Sequence, residues 1–336
     1  MKLRLLLIFG GMLSWSAAHA QLFPQLGAQR AGISGLVPLK LEVSPRAAAL
    51  GSANICLTGD PYATYTNPAT LDEVGGFGVA ATHTLWAAGT HLSFLSLTQQ
   101  TNLGSFGLSL GGFNSGAIEE RTTFQPEGTG RLVYAATLTA GLSYSKQLTD
   151  QFSWGTTVRL VHERLAEFTD YTAVVDLGFL YETDIKELRF AVMVQNFGPN
   201  TTLSGLRAID TTFNSRPINL DSYPAPTVFK LGLSLVPYRS EDNQHVFTTY
   251  AQLNHPNDNA ENIRLGAEYA YRQLLFLRMG YKLNVADQRL PTAGLGLRMR
   301  LGRHPMMLDY AFDPLQFLGI VHRIGLSVHF KEQETR

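Results

Sequence analysis

Residues 292–301 put Ala293, Leu295, Leu297, Met299 and Leu301 on one face and Gly294, Gly296, Arg298 and Arg300 on the other. This is the two-residue period of a strand with one apolar and one wet side. The same alternation governs residues 320–330, where every second residue from Ile324 onward is apolar. Two arginines deep in such a strand require a watery side. A soluble all-β protein would have to bury them in a dry core, at a cost that their pattern makes hard to offset. A membrane β-barrel, with lipid outside and a polar lumen inside, accommodates both faces.

The beginning of the chain supplies the export that such a barrel needs. Lys2 and Arg4 precede an apolar run from Leu5 to Trp15, and Ala18-His19-Ala20 offers a small-x-small cleavage site, so residues 1–20 read as a signal peptide and Gln21 as the mature start. No apolar stretch after Ala20 approaches the roughly 18 residues that a membrane-spanning helix needs. Cys56, the single cysteine, stands well past the cleavage site, which argues against a lipid anchor and excludes an internal disulfide; it reads as a small buried hydrophobe. Without Lys2 and Arg4 the chain carries 25 basic and 27 acidic residues, so the electrostatic footprint of a nucleic-acid binder is missing. Charged residues at only 16%, with aromatics at 10% and 31 glycines, suit a strand-rich wall with interfacial aromatics.

Periodicity predicts fourteen strands, near residues 77–86, 90–99, 103–113, 132–146, 151–162, 171–182, 187–197, 226–236, 245–254, 262–271, 274–283, 292–301, 306–312 and 320–330. An even count places both termini on one side, the periplasmic one for a bacterial outer-membrane barrel. Short connections at 99–102, 147–150, 183–186, 272–273 and 302–305 alternate with long ones at 114–131, 198–225, 285–290 and 313–319. The two longest belong outside the cell; 237–244, polar and of middling length, is the short-side exception. The expected architecture is therefore all-β: residues 75–336 form a fourteen-stranded antiparallel transmembrane barrel. Residues 21–74, rich in Gly, Pro and Ala with weak periodicity, form a hatch or plug entering the lumen from the periplasmic side, because as a free tail they would expose Leu50, Ile55, Leu57 and Leu71.

Charges recur at positions in phase with the lumen: Arg159, Asp176, Arg189, Lys230, Arg264, Glu268, Arg278, Arg298, Arg300, Asp309 and Arg323. Both signs occur, so a network bracing the wall is the first reading and a ligand-guiding surface the second. Other patterns carry little chemistry. Gly107-Leu-Ser109-Leu-Gly111 has the spacing of a nucleophile elbow, which needs a sharp turn into a helix, but it lies within an alternating strand. His162 and Glu163 are neighbours on a strand and point to opposite faces. Residues 254–262 are rich in oxygen ligands and could hold calcium, yet Asn, Asp and Pro are equally the residues of an exposed loop. Asn200-Thr-Thr202 fits a glycosylation acceptor, a pattern of little weight in a bacterial-style barrel. No catalytic constellation, metal spacing or cofactor motif is expected, and the chain reads as a non-enzyme.

Ser44-Pro-Arg-Ala-Ala-Ala-Leu-Gly51, followed by Gly59-Asp-Pro-Tyr-Ala-Thr-Tyr-Thr-Asn-Pro-Ala-Thr-Leu71, resembles the hatch of the PorV/PorQ family of FadL-like outer-membrane proteins, with Arg46, Gly51, Asp60, Asn67, Pro68, Ala69 and Leu71 at the matching positions. Weaker matches run on through Asp176-Leu-Gly178, Asn196-Phe-Gly198, Leu265-Gly-Ala-Glu268, Arg278-Met-Gly-Tyr281, Thr292-Ala-Gly-Leu-Gly296, Leu308-Asp-Tyr-Ala311 and His322-Arg323. Ser52-Ala-Asn-Ile-Cys56 departs from the Gly-rich continuation usual there, and Lys331 to Arg336 extend past Phe330, the terminal aromatic. The resemblance, nearer the PorQ branch in wording, implies a fourteen-stranded barrel with a hatch. It further implies a part in type IX protein secretion or in surface attachment of secreted proteins. The implied partners are outer-membrane lipid, type IX secretion components and the C-terminal signal domains of secreted proteins, contacted mainly by the loops 114–131 and 198–225. The alternative implied by the same barrel type is a FadL-like transporter of hydrophobic small molecules. Within the hatch, Asn67-Pro68 fits a rigid turn, and Arg46 and Asp60 are expected to pair inside the plug, the alternative being that they bind a partner.

Overall fold

The computed structural model describes residues 32–330 apart from 206–207, 210–215 and 218–219. The expected signal peptide 1–20, residues 21–31, the extension 331–336 and part of the 198–225 connection lie outside the described residues.

Fourteen antiparallel strands close into one barrel. They are β1 (Phe77–Leu85), β2 (His91–Thr101), β3 (Gly104–Asn114), β4 (Ala135–Thr149), β5 (Phe152–Leu165), β6 (Phe168–Glu182) and β7 (Arg189–Phe197), then β8 (Val228–Arg239), β9 (His245–Pro256), β10 (Asn262–Tyr271), β11 (Leu275–Leu283), β12 (Thr292–Leu301), β13 (His304–Leu315) and β14 (Gly319–Phe330). Each pairs with its sequence neighbour, and β1 pairs with β14 from Phe77 opposite Phe330 to Leu85 opposite His322. Closure leaves no unpaired edge, a condition for crossing lipid with strands. Alternation sorts the side chains as the sequence implies. Leu108, Leu110, Leu138, Leu142, Leu160, Leu277, Leu295 and Ile324 lie exposed on the outer wall, while Ser96, Ser143, Thr157, Asp176 and Arg323 are buried in the lumen. At the short-turn end, outward aromatics meet in pairs, with Phe77 tilted against Phe330, Phe106 tilted against Tyr144 and Phe152 stacked on Phe179. These pairs form an interfacial girdle.

The expected strands all exist, but two connections shrink. The stretch 163–170 is not a loop: β5 runs on to Leu165, β6 starts at Phe168, and a tight hairpin turns through Ala166 with φ 55°. Alternation continues there with carboxylates in place of apolar residues. Glu163 and Asp170 face each other in register and are buried in the lumen mouth. Likewise β13 extends to Leu315, leaving only residues 316–318 as the connection to β14.

The described hatch begins at the long-connection mouth, where Leu36 packs near Trp86 and Tyr223, and reaches the short-turn end at Gly76. It therefore occupies the length of the lumen. Helix α1 (Pro45–Ala49) starts on Ser44, whose hydroxyl accepts the Ala47 N–H at 3.3 Å, with Pro45 in the first turn. Gly51 follows with φ +67°, a conformation that glycine enters without steric penalty. Helix α2 (Ala63–Thr66) leads into a 3-10 turn, Pro68–Val74, capped by the Asn67 carboxamide. Leu50, Ile55, Cys56 and Leu57 pack against Leu180, Met193 and Tyr250 of the wall. Full burial of such aliphatic side chains contributes about 1.5–3 kcal/mol each, so the hatch has no reason to stay in water.

The wall meets the hatch at glycines. A Cβ on Gly280 would lie 2.0 Å from the Gly51 nitrogen, one on Gly155 would lie 2.4 Å from the Pro68 carbonyl carbon, and one on Gly178 would lie 2.0 Å from the Asn67 side-chain oxygen. Gly280→Ala is therefore expected to destabilise the barrel by about 1–3 kcal/mol through overpacking, whereas Gly112→Ala, whose Cβ would meet only Leu138 at 3.5 Å, leaves stability nearly unchanged. Denaturant unfolding of the two variants in detergent measures the difference.

Candidate functional site

The lumen is a packed interior in which charged side chains are tied to the hatch in three groups. In the first, Arg46 of α1 grips both oxygens of Glu268 on β10, with Nη2 at 2.8 Å and Nε at 3.0 Å, and its Nη1 donates to the Thr58 carbonyl at 3.1 Å. Arg278, directly opposite Glu268 in the β10–β11 register, donates to the same carboxylate at 2.6 Å and also pairs with Asp309. Gly296 leaves room for that pair, because a Cβ there would stand 2.5 Å from the Asp309 carboxylate. In the second group Arg159, 1% exposed, meets Asp176 at 2.8 Å and Asn196 at 3.0 Å beneath the Tyr65 ring of the hatch, 4.8 Å away. In the third, Asp313 accepts from Lys282 at 2.8 Å and Arg323 at 3.5 Å, and Arg323 also donates to the Glu42 carbonyl at 3.2 Å.

The expected lumen residues thus come together only in part. Arg159 joins Asp176, and Glu268 joins Arg278 and Asp309. Arg189 pairs at the short-turn end with Glu182 at 2.8 Å and Glu73 at 3.8 Å. Arg298 lies over the Phe276 ring at 5.1 Å, Arg264 donates to Asn262 and Gly51, and Arg300 is exposed. None of these three has a carboxylate partner among the described residues. The expected Arg46–Asp60 pair does not form. Arg46 reaches across to the wall, and Asp60 instead caps the α2 entry by accepting the Tyr62 N–H at 3.0 Å. The other hatch positions are structural in geometry. Asn67 accepts from Ala69 and donates to the Ile55 carbonyl at 2.7 Å, and Pro68, Ala69 and Leu71 are buried.

Lys282, Asp313 and Glu42 belong to the network but were not anticipated. Lys282 continues the Arg278 phase and was legible. Asp313 fell in a supposed loop, and Glu42 lies in an irregular segment with no period to betray it. Residues 254–262 are also less exposed than expected, since Asp258 is buried and pairs with Lys40 of the hatch at 2.6 Å. Ser109 sits mid-strand opposite Gly141, so no elbow exists there.

Cavities remain around the hatch among the described residues. One of about 980 Å³ opens at the short-turn end and is lined by Arg46, Asp60, Glu268, Arg298, Asp309 and Met306 among others. A second, of about 460 Å³, lies at the long-connection mouth between Leu36, Trp86, Phe113, Leu165, Leu203 and Tyr223. Burial raises the Tyr223 phenol above its ordinary pKa, an effect reinforced by the nearby Glu163 and Asp170 carboxylates, so that ring stays uncharged. A third, of about 190 Å³, lies between hatch and wall beside Lys230 and Arg264.

The sequence matches no protein-family model and no curated protein, so the PorV/PorQ likeness rests on the quoted motifs. Solved structures do match. The monoaromatic hydrocarbon channel CymD superposes with a TM-score of 0.56 at 14% identity, over 87% of this chain and 98% of that one. The Pseudomonas putida toluene transporter TodX gives 0.56 at 16% identity, over 90% and 98%. A Pseudomonas aeruginosa FadL homologue gives 0.52 at 12% identity, over 89% and 99%. At such identities the likeness is one of fold, and the chain has the fold of these FadL-like barrels.

Removing one partner of a buried pair leaves an uncompensated charge. Glu268→Gln, which strips Arg46 and Arg278 of their shared carboxylate, is expected to cost about 3–5 kcal/mol. Adding Arg46→Met should recover part of that loss, with a coupling of about 0.5–3 kcal/mol in a double-mutant cycle of unfolding free energies.

Proposed function

We propose that the protein is a non-enzymatic outer-membrane barrel that admits hydrophobic small molecules, with its short turns and both termini on the periplasmic side. The observation that carries this reading is the cavity at the long-connection mouth. Its walls are mainly apolar, with Glu163, Thr137 and Ser34 among them, and Trp86, Phe113 and Leu203 present a surface that a nonpolar solute would leave water to reach. The shared fold supports it, since CymD and TodX are described as a channel and a transporter for monoaromatic hydrocarbons and toluene. Cells lacking the protein should take up labelled toluene or a comparable apolar solute more slowly. Leu203→Glu, which places a charge in the mouth, should reproduce the defect in a barrel that still folds. Unchanged uptake in both strains would remove the transport reading.

The second reading is a part in type IX secretion or surface attachment. It is favoured by the hatch motif from Ser44 to Leu71 and by the outer hairpin formed by Ile118–Glu119 and Leu132–Val133, which holds Phe124 96% exposed as a partner-binding protein would. Its test is the fate of proteins bearing a C-terminal signal domain. Loss of their secretion or surface retention on deletion supports it, and normal handling removes it.

A further inference from the structure

The 190 Å³ cavity between hatch and wall is bordered by two cations that lack a carboxylate partner. Its carboxylates have partners of their own, although Asp258 Oδ1 is left without a hydrogen bond. One oxygen of Glu42 accepts the backbone N–H groups of Val43 and Ser44, both at 3.1 Å, and the other accepts the Asn54 amide at 2.7 Å. Asp258 is paired with Lys40. Two cations on the same cavity have no such partner. Lys230 of β8, only 7% exposed, has the Asn54 amide oxygen at 3.4 Å. Arg264 of β10 donates to the Asn262 amide oxygen at 2.7 Å and to the Gly51 carbonyl at 3.4 Å. Among the described residues neither meets a carboxylate, although both border the same partly open cavity. Elsewhere in the lumen the buried cations Arg159, Arg278, Lys282 and Arg323 each have one.

Two like charges on one cavity, the buried Lys230 and the half-buried Arg264, neither with a carboxylate in contact, repel each other, and an anion bound between them lowers that cost. The space suits a small one, since at about 30 Å³ per water it would otherwise hold roughly six waters. A guanidinium presents a planar fork to two oxygens, and an ammonium adds a point charge with three donors. We propose that Lys230 and Arg264 form a site for a single small oxyanion, a carboxylate or a phosphate. The same cations contact the hatch through Asn54 and Gly51, so the bound anion adds a second tie between hatch and wall beside the Lys40–Asp258 pair.

Equilibrium dialysis of the purified full-length protein in detergent, with labelled phosphate and labelled acetate in a constant chloride background, tests this. One saturable site per barrel is expected. Its affinity should fall about tenfold or more in Lys230→Met and in Arg264→Gln, the usual scale for a lost charge-assisted bond, and should be retained in Lys230→Arg. Heat-dependent gel migration verifies that each variant is a folded barrel, and either glutamine or methionine variant suffices if the other does not fold. Stronger binding of acetate or of phosphate identifies which oxyanion the site takes. Absence of saturable binding for both, or equal binding in wild type and the charge-removing variants, overturns the proposal. Uptake of apolar solutes is a separate readout, so failure here leaves the transport reading intact.

Discussion

Fourteen strands enclose more space than their own inward side chains can fill; eight are about the limit for a side-chain-packed barrel. Everything inside this protein follows from that surplus. The hatch occupies it, and hatch and wall are shaped to each other. The wall gives up side chains at Gly155, Gly178 and Gly280 so that the hatch backbone can approach, and the hatch supplies α1, the Asn67-Pro68 turn and an aliphatic cluster that the wall covers. The plug therefore behaves as the core of the molecule, with the barrel as its shell.

The buried charges are the second consequence. Lumen-facing arginines that would be solvated in an open pore are here covered by the hatch, and most are met by carboxylates from neighbouring strands. Glu268 is the centre of this arrangement because it serves one arginine from each side of the hatch–wall boundary, Arg46 and Arg278. Such pairs contribute little net stability against an apolar alternative, but losing one partner is costly. They therefore fix how the hatch sits more than they hold the barrel up. The cavities lie where this packing stops, of mixed polarity at the short-turn end and mainly apolar at the opposite mouth.

Much of the barrel was legible because a period of two survives wherever one face meets lipid. Residues 262–271 and 292–301 needed no correction. The pattern failed at residues 163–170, where the outward face turns polar at Arg164 and Thr169 while carboxylates enter the inward one, since a strand end above the membrane no longer needs an apolar outer face and looks like a loop. The hatch resisted for a different reason. Its contacts are long-range and irregular, so the sequence named Arg46 and Asp60 as ionisable neighbours but could not show that Arg46 finds Glu268, more than two hundred residues away. Gly280 and Gly155 read only as strand glycines, because the backbone that requires them comes from a distant segment.

The central claim is that the hatch is a fixed element of the folded barrel. Hydrogen exchange of the intact protein in bilayer nanodiscs tests it most directly. Amides of residues 44–71 should exchange as slowly as those of β10 to β13, because both belong to one packed unit. Fast exchange across 44–71 in a barrel whose strands remain protected would show that the hatch moves independently, and would contradict this account.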